Sequence, residues 1–233
     1  MKQQFQVAKS FGVLIYLLRD RTLFLEEIRQ GTRLPSKIFA LLVCTSLFLG
    51  IYGGIIGIYH SWMQALSSAV KLPALYLITL LICLPTLYFS NIIFGSKRTF
   101  GQFFALVLSA VSMTSVLLFS FAPIALFFLI STNHYQFLIL LNVAIFALTG
   151  FIGVSSLYQA ANLILEQEDE GSDIRRKILR AWLFLYAFVG CQLGWTLRPF
   201  FGIPDSPFSL FREREGNFYV SVFQSLAYLL GFR

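Results

Sequence analysis

The chain has 233 residues, 57% hydrophobic and only 12% charged, with a mean hydropathy of +0.74. Soluble domains carry about a quarter charged residues, so composition argues against a soluble globular fold. The net charge of +7 does not indicate nucleic acid, because the bases lie between hydrophobic stretches, where they set topology and meet anionic lipid. No Asp or Glu occurs between Glu27 and Glu166, and the charges in that interval are Arg29, Arg33, Lys37, Lys71, Lys97 and Arg98. A soluble surface of that length needs more charge, whereas a polytopic membrane domain does not.

The first element expected is a helix over Phe5–Gln30. Its apolar core, Phe11–Leu18, lies between Lys9 and Arg19 and is too short to cross a bilayer. It has the charged flank of a signal peptide without a small-residue cleavage site after it. Val7, Phe11, Leu14, Leu18 and Leu25 approximate one helical face, which predicts a helix lying in the membrane interface. Five segments then reach the ~20 helical residues that a hydrocarbon core requires: Ile38–Tyr59, Pro73–Phe94, Phe103–Ile130, Phe137–Tyr158 and Ile178–Leu197. Pro85 and Pro123 are expected to kink the second and third. After the fifth, Pro199 disfavours helical geometry at Arg198, and Pro204 to Pro207 is turn chemistry. The following apolar run from Asn217 is short and is read as a second interfacial helix.

The fold class expected is therefore all-α, a polytopic membrane helical bundle of about five transmembrane helices with amphipathic interfacial helices at both ends. It divides into an N-terminal interfacial segment (1–37), a five-helix domain (38–197) and a turn with its C-terminal helix (198–233). With span-end Arg180 assigned to the fourth loop, Lys and Arg outside the spans number 13 in alternate segments beginning with the N-terminus and 5 in the others. That bias places the N-terminus in the cytoplasm, although the four bases of the C-terminal tail argue mildly the other way.

Glycines recur at four-residue spacing in the first span (Gly50/Gly54 and Gly53/Gly57 of "GIYGGIIG") and in the fifth (Gly190/Gly194). Such pairs let backbones approach closely, which predicts packing within the bundle or between protomers. By this reading Leu at Gly53 and Leu at Gly54 are both damaging. Ser68-Ala-Val-Lys71 matches the S-x-x-K pattern of some acyl-serine enzymes without their partner motifs, and is placed in a loop re-entering the bilayer. His60 and His134 lie at span ends with no ligand-spaced Cys, Asp or Glu, so no metal is expected. Cys44, Cys83 and Cys191 are isolated within spans and read as small packing residues. Asn91, Asn142 and Gln192 read as interhelical hydrogen-bonding groups. The strongest site candidate is the exit from the fifth span, where Trp195 and Arg198 are followed by Phe200, Phe201, Phe208, Phe211, Arg212 and Arg214. An aromatic belt and a snorkelling arginine explain part of that composition, and a dock built on Trp195, Arg198, Arg212 and Arg214 explains the excess.

With its span count and "GIYGGIIG", the region Ile38–Leu197 resembles the Yip-type five-span membrane domain. The stretch "GWTLRPFFGIPDSPFSLFREREGNF" is similar to a segment of uncharacterised bacterial membrane proteins, cyanobacterial ones among them. The resemblance implies a scaffold or adaptor that acts through partners in a bacterial cytoplasmic membrane or thylakoid. The residues themselves leave two functions open. One is a non-catalytic scaffold or assembly factor for membrane proteins, itself or lipids, with no cofactor and no nucleic acid. The other is a small transporter or channel for a neutral or apolar solute, since proline-broken helices can free carbonyls for a ligand. An enzyme is not expected, because the spans lack His, Asp or Glu clusters.

Overall fold

The computed structural model of the chain describes residues 2–132, 134–165, 172–202, 207–211 and 220. Among these residues it contains seven helices and no strand: α1 (Lys2–Arg19), α2 (Arg21–Arg29), α3 (Leu34–Ile58), α4 (Trp62–Ile93), α5 (Phe100–Ser131), α6 (Tyr135–Leu165) and α7 (Ser172–Thr196). Five of them, α3 to α7, are long and apolar enough to cross a membrane. The expected run past Asn217 lies outside the described residues, apart from Val220.

Local chemistry explains the boundaries. Arg33 enters α3 in the left-handed region and Pro35 follows in its first turn, where a missing N–H costs nothing. Ser61 caps α4 by accepting from the Gln64 amide at 3.2 Å. Thr99 and Gln102 form a reciprocal capping box at the start of α5. α4 and α5 continue as helices through Pro73, Pro85 and Pro123. α4 begins well before Pro73, so Ser68 and Lys71 are not in a re-entrant loop. Both are buried inside a helix.

α3 is the centre of the bundle and packs most extensively on α4 and α5, while α6 lies on α5 and α7 on α4. Its glycine face meets α4 within the same chain. A Cβ on Gly53 would collide with the Ser68 carbonyl, and one on Gly57 would come within 2.6 Å of the Gln64 carbonyl. Pro73 leaves the Ala69 carbonyl without its helical donor, and that oxygen lies 3.3 Å from a Cβ built on Gly50. Gly54, Gly190 and Gly194 make only ordinary contacts, at 3.8 Å to Ala69, 3.7 Å to Thr79 and 4.0 Å to Leu75. The four-residue spacing therefore marks the right helices but does not rank their glycines. A comparable close approach occurs at Gly153, where an added Cβ would strike the Thr114 hydroxyl.

Polar side chains join the spans internally. Tyr52 Oη donates to Asn142 Oδ1 at 2.7 Å, linking α3 to α6, and Thr45 and Ser112 share a bond of 2.8 Å between α3 and α5. Trp182 Nε1 donates to the Cys83 carbonyl at 2.8 Å, linking α7 to α4. Asn142 is thus an interhelical group as expected, whereas the Asn91 amide turns back to the Leu87 carbonyl of its own helix at 2.8 Å.

The single helix expected over Phe5–Gln30 is interrupted at Asp20. One face of α1 is docked on the spans: Leu14 and Leu17 are buried, and the Phe11 ring meets Phe48, well inside α3, at 5.8 Å. Leu18 of the expected stripe is 47% exposed, and Leu17 takes the inward position instead. α2 buries Phe24, Leu25 and Ile28 across one end of the bundle. Arg21 of α2 donates to the Ser156 carbonyl of α6, and the Lys37 ammonium of α3 pairs with Glu27 at 2.5 Å. Tyr16 Oη donates to the other Glu27 oxygen at 3.1 Å.

The hydrogen bond from Lys37 is the main cause that holds the Glu27 carboxyl below its ordinary pKa of 4.5. A depressed folded-state pKa stabilises the fold fully above that ordinary value and is lost as pH falls through the lower, folded-state one. Glu27→Gln is therefore expected to lower the melting temperature at neutral pH. It should also flatten the acid limb below about pH 4. Parallel melting curves for wild type and variant across that range would show that the pair does not hold α2.

Candidate functional site

At the end of the bundle opposite α2, the chain leaves α7 through Trp195, Thr196, Leu197 and Arg198. The Arg198 guanidinium lies over the Trp195 ring, 3.4 Å from its centroid. Stacking uses the face of the guanidinium plane, and hydrogen bonding to a carboxylate or phosphate uses its edge. Arg198–Pro199 is a cis peptide bond. Gly202, at φ +68°, lies so close to His60 that a Cβ would come within 2.5 Å of the imidazole. The left-handed conformation and the lack of space both require glycine there.

What holds this exit in place is a polar stripe on the first turns of α4. Gln64, Ser68 and Lys71 share one helical face, and all three are buried. Gln64 Nε2 donates to the Pro199 carbonyl at 2.7 Å, and Ser68 Oγ to the Phe200 carbonyl at 2.5 Å. Lys71 Nζ donates to the Pro199 carbonyl at 3.4 Å and also to that of Leu210. The ammonium also lies 5.0 Å from the centre of the Phe211 ring. These donors satisfy carbonyls of a non-helical segment at the end of an apolar bundle, where an unpaired group is costly.

The structure thus brings Trp195 and Arg198 together, while Arg212 and Arg214 lie outside the described residues. It gives Ser68 and Lys71 a task unrelated to acyl transfer, since both donate to backbone carbonyls of the exit. His134 lies at the start of α6, and His60 packs under Gly202. No group of three His, Cys, Asp or Glu able to hold a metal occurs among the described residues. Cys44 and Cys83 are buried thiols, and Cys191 is half-buried. The Gln64–Ser68–Lys71 stripe falls in the stretch before Pro73 that the sequence places outside the spans, and the structure makes it helix. Its signal is present in the sequence as polar residues at i, i+4 and i+7.

Five long apolar helices, joined by interhelical hydrogen bonds, define a polytopic integral membrane protein. No family model, curated protein or solved structure shows a significant match to the chain.

Proposed function

We propose that the protein is a non-catalytic scaffold, assembly factor or adaptor, in a bacterial cytoplasmic or thylakoid membrane, for other membrane proteins or lipids. The observation that carries this reading is the exit of α7. Three buried α4 side chains fix backbone carbonyls of the exit, next to the half-buried Arg198 guanidinium that lies on Trp195. The weak likeness to Yip-type domains agrees with action through partners. With the N-terminus and α2 in the cytoplasm, as the Lys and Arg bias favours, this surface lies on the opposite side of the membrane. The dock takes a carboxylate of a partner protein or an anionic headgroup.

Arg198→Lys keeps the charge and removes the planar fork, whereas Arg198→Ala removes both. Both variants are expected to insert and fold, and both lose at least ten-fold of the membrane proteins or anionic lipids that co-purify with wild type in mild detergent. Wild-type recovery with lysine would reduce Arg198 to a snorkelling anchor, and wild-type recovery with alanine would remove the dock altogether. Solute flux through the purified protein in liposomes, with no co-purifying partner, would favour the transporter reading instead.

A further inference from the structure

The helices do not all end at one level on the exit side. α3 and α4 lie together with Gly53 against Ser68 and Gly57 against Gln64, so both run on to their aromatic ends. Tyr59, which follows α3, stacks on Tyr135 of α6 at 6.3 Å, and exposed Trp62 opens α4. Aromatic residues gathered in this way mark the boundary between hydrocarbon and water. α7 stops earlier. A Cβ on Gly190 would lie 3.7 Å from Thr79, and one on Gly194 4.0 Å from Leu75. Its last residue, Thr196, therefore lies near Pro73 of α4. From Pro73 to Trp62, α4 continues for about 16 Å.

The chain after α7 covers that length without forming a helix. Phe200 and Phe201 pack against the buried cluster that contains Leu49, Tyr52, Leu72 and Ile145. Gly202 then reaches His60, at the end of α3. From there the chain comes back down. The Leu210 carbonyl accepts from Lys71, and the Phe211 ring lies 5.0 Å from the same ammonium. That ammonium also meets the Pro199 carbonyl, which Gln64 holds from above. Leu210 is thus level with the turn from Ser68 to Lys71, about 9–13 Å below Trp62.

The surroundings at that level are apolar. Met63, Leu66 and Val70 are exposed on the outward face of the same α4 turns, while Gln64, Ser68 and Lys71 point inward. An apolar outer face suits acyl chains and not water. Phe208, Leu210 and Phe211 are exposed as well, and apolar groups clustered on a surface mark a contact with membrane or protein.

We propose that the chain beyond α7 is re-entrant: it reaches the water boundary at Gly202 and dips back into the same leaflet, placing Phe208, Leu210 and Phe211 against acyl chains. Non-helical backbone persists at membrane depth only where protein satisfies its polar groups. The Gln64–Ser68–Lys71 stripe does this for the carbonyls of Pro199, Phe200 and Leu210. The partner of this face is the lipid of the exit-side leaflet, and a protein docking beside it approaches from within the membrane. The inference rests on depth and stands whether or not Arg198 is a dock.

The test uses the full chain in phosphatidylcholine nanodiscs, which leave both membrane faces open to solvent. Cys44→Ala, Cys83→Ala and Cys191→Ala remove the native thiols, and one nitroxide is attached through a cysteine placed at Phe208 or Leu210. Relaxation by oxygen, which concentrates in hydrocarbon, is compared with relaxation by a water-soluble nickel chelate. Both positions are expected to favour oxygen at least ten-fold, as lipid-facing Val70 does, whereas exposed Lys97 favours nickel. Nickel preference at Phe208 and Leu210 would place the segment in water and overturn the proposal. Protection from both reagents would mean that a protein surface covers it, which overturns the lipid contact. If the cysteine-free chain fails to fold, wild-type protein treated with a bilayer-soluble diazirine decides: no label between Phe208 and Phe211 refutes the dip.

Discussion

Alanine at Gly53 or Gly57 is expected to destroy the folded bundle, whereas alanine at Gly54 in the same helix is tolerated or mildly stabilising. In a helix interior, Gly→Ala contributes about 1 kcal/mol of stability through backbone entropy, so propensity predicts a gain at all three. Packing reverses the sign at two of them. A Cβ on Gly53 meets the Ser68 backbone carbonyl, and one on Gly57 lies 2.6 Å from the Gln64 carbonyl and 2.7 Å from Ala65 Cα. Backbone atoms of a packed helix cannot rotate away, so α3 and α4 must separate. Separation exceeds the ~1–3 kcal/mol typical of overpacking because it also loosens the Gln64–Ser68 clamp on the exit. On Gly54 the Cβ lies 3.8 Å from Ala69, an ordinary contact. Monodisperse yield and melting temperature in mild detergent read the difference, and equal behaviour of the three variants would mean that α3 and α4 do not approach this closely.

Lys71→Met should release the exit segment while leaving the spans assembled. The variant keeps the length and apolar stem of the side chain and removes the ammonium that donates to the Pro199 and Leu210 carbonyls. A hydrogen bond to a charged group contributes about 1.5–3 kcal/mol; the one to Pro199, at 3.4 Å, is weak, so loss of the bond to Leu210 dominates and local opening should become roughly ten- to a hundred-fold more frequent. Hydrogen exchange at Phe200, Phe201 and Leu210 measures it directly. Ser68→Ala, which loses one neutral bond of about 1 kcal/mol, should show a smaller change confined to Phe200. Unchanged protection in Lys71→Met would mean that the exit is held by its aromatic contacts alone. If the exit is the dock, Lys71→Met should also weaken whatever Arg198 binds, although Lys71 does not touch the partner.

The sequence alone settled the broad architecture, because the signal for a membrane span is one of sustained composition. Five apolar runs and the acid-free interval from Glu27 to Glu166 leave little choice once every backbone N–H and C=O must be satisfied inside the hydrocarbon. It also marked α3 as the helix of closest approach, through its four glycines, and placed Trp195 and Arg198 at a span end. Tertiary structure decided the rest. Which glycines are indispensable depends on what lies opposite each one, and spacing along one helix carries no information about the partner's carbonyls. That Gln64, Ser68 and Lys71 clamp the chain after α7 rests on hydrogen bonds spanning more than a hundred residues of sequence. Taken locally, a lysine beside an apolar run belongs at the water boundary, which is why Lys71 reads as loop in sequence. Inside the bundle, backbone carbonyls and the Phe211 ring take the place of water around the Lys71 side chain. At the other end, Arg98 and Gln102 donate to the carbonyls of Ile28 and Arg29, which lie some seventy residues earlier in the chain. Composition records how much of a chain must leave water, and only the fold determines which polar groups then satisfy one another.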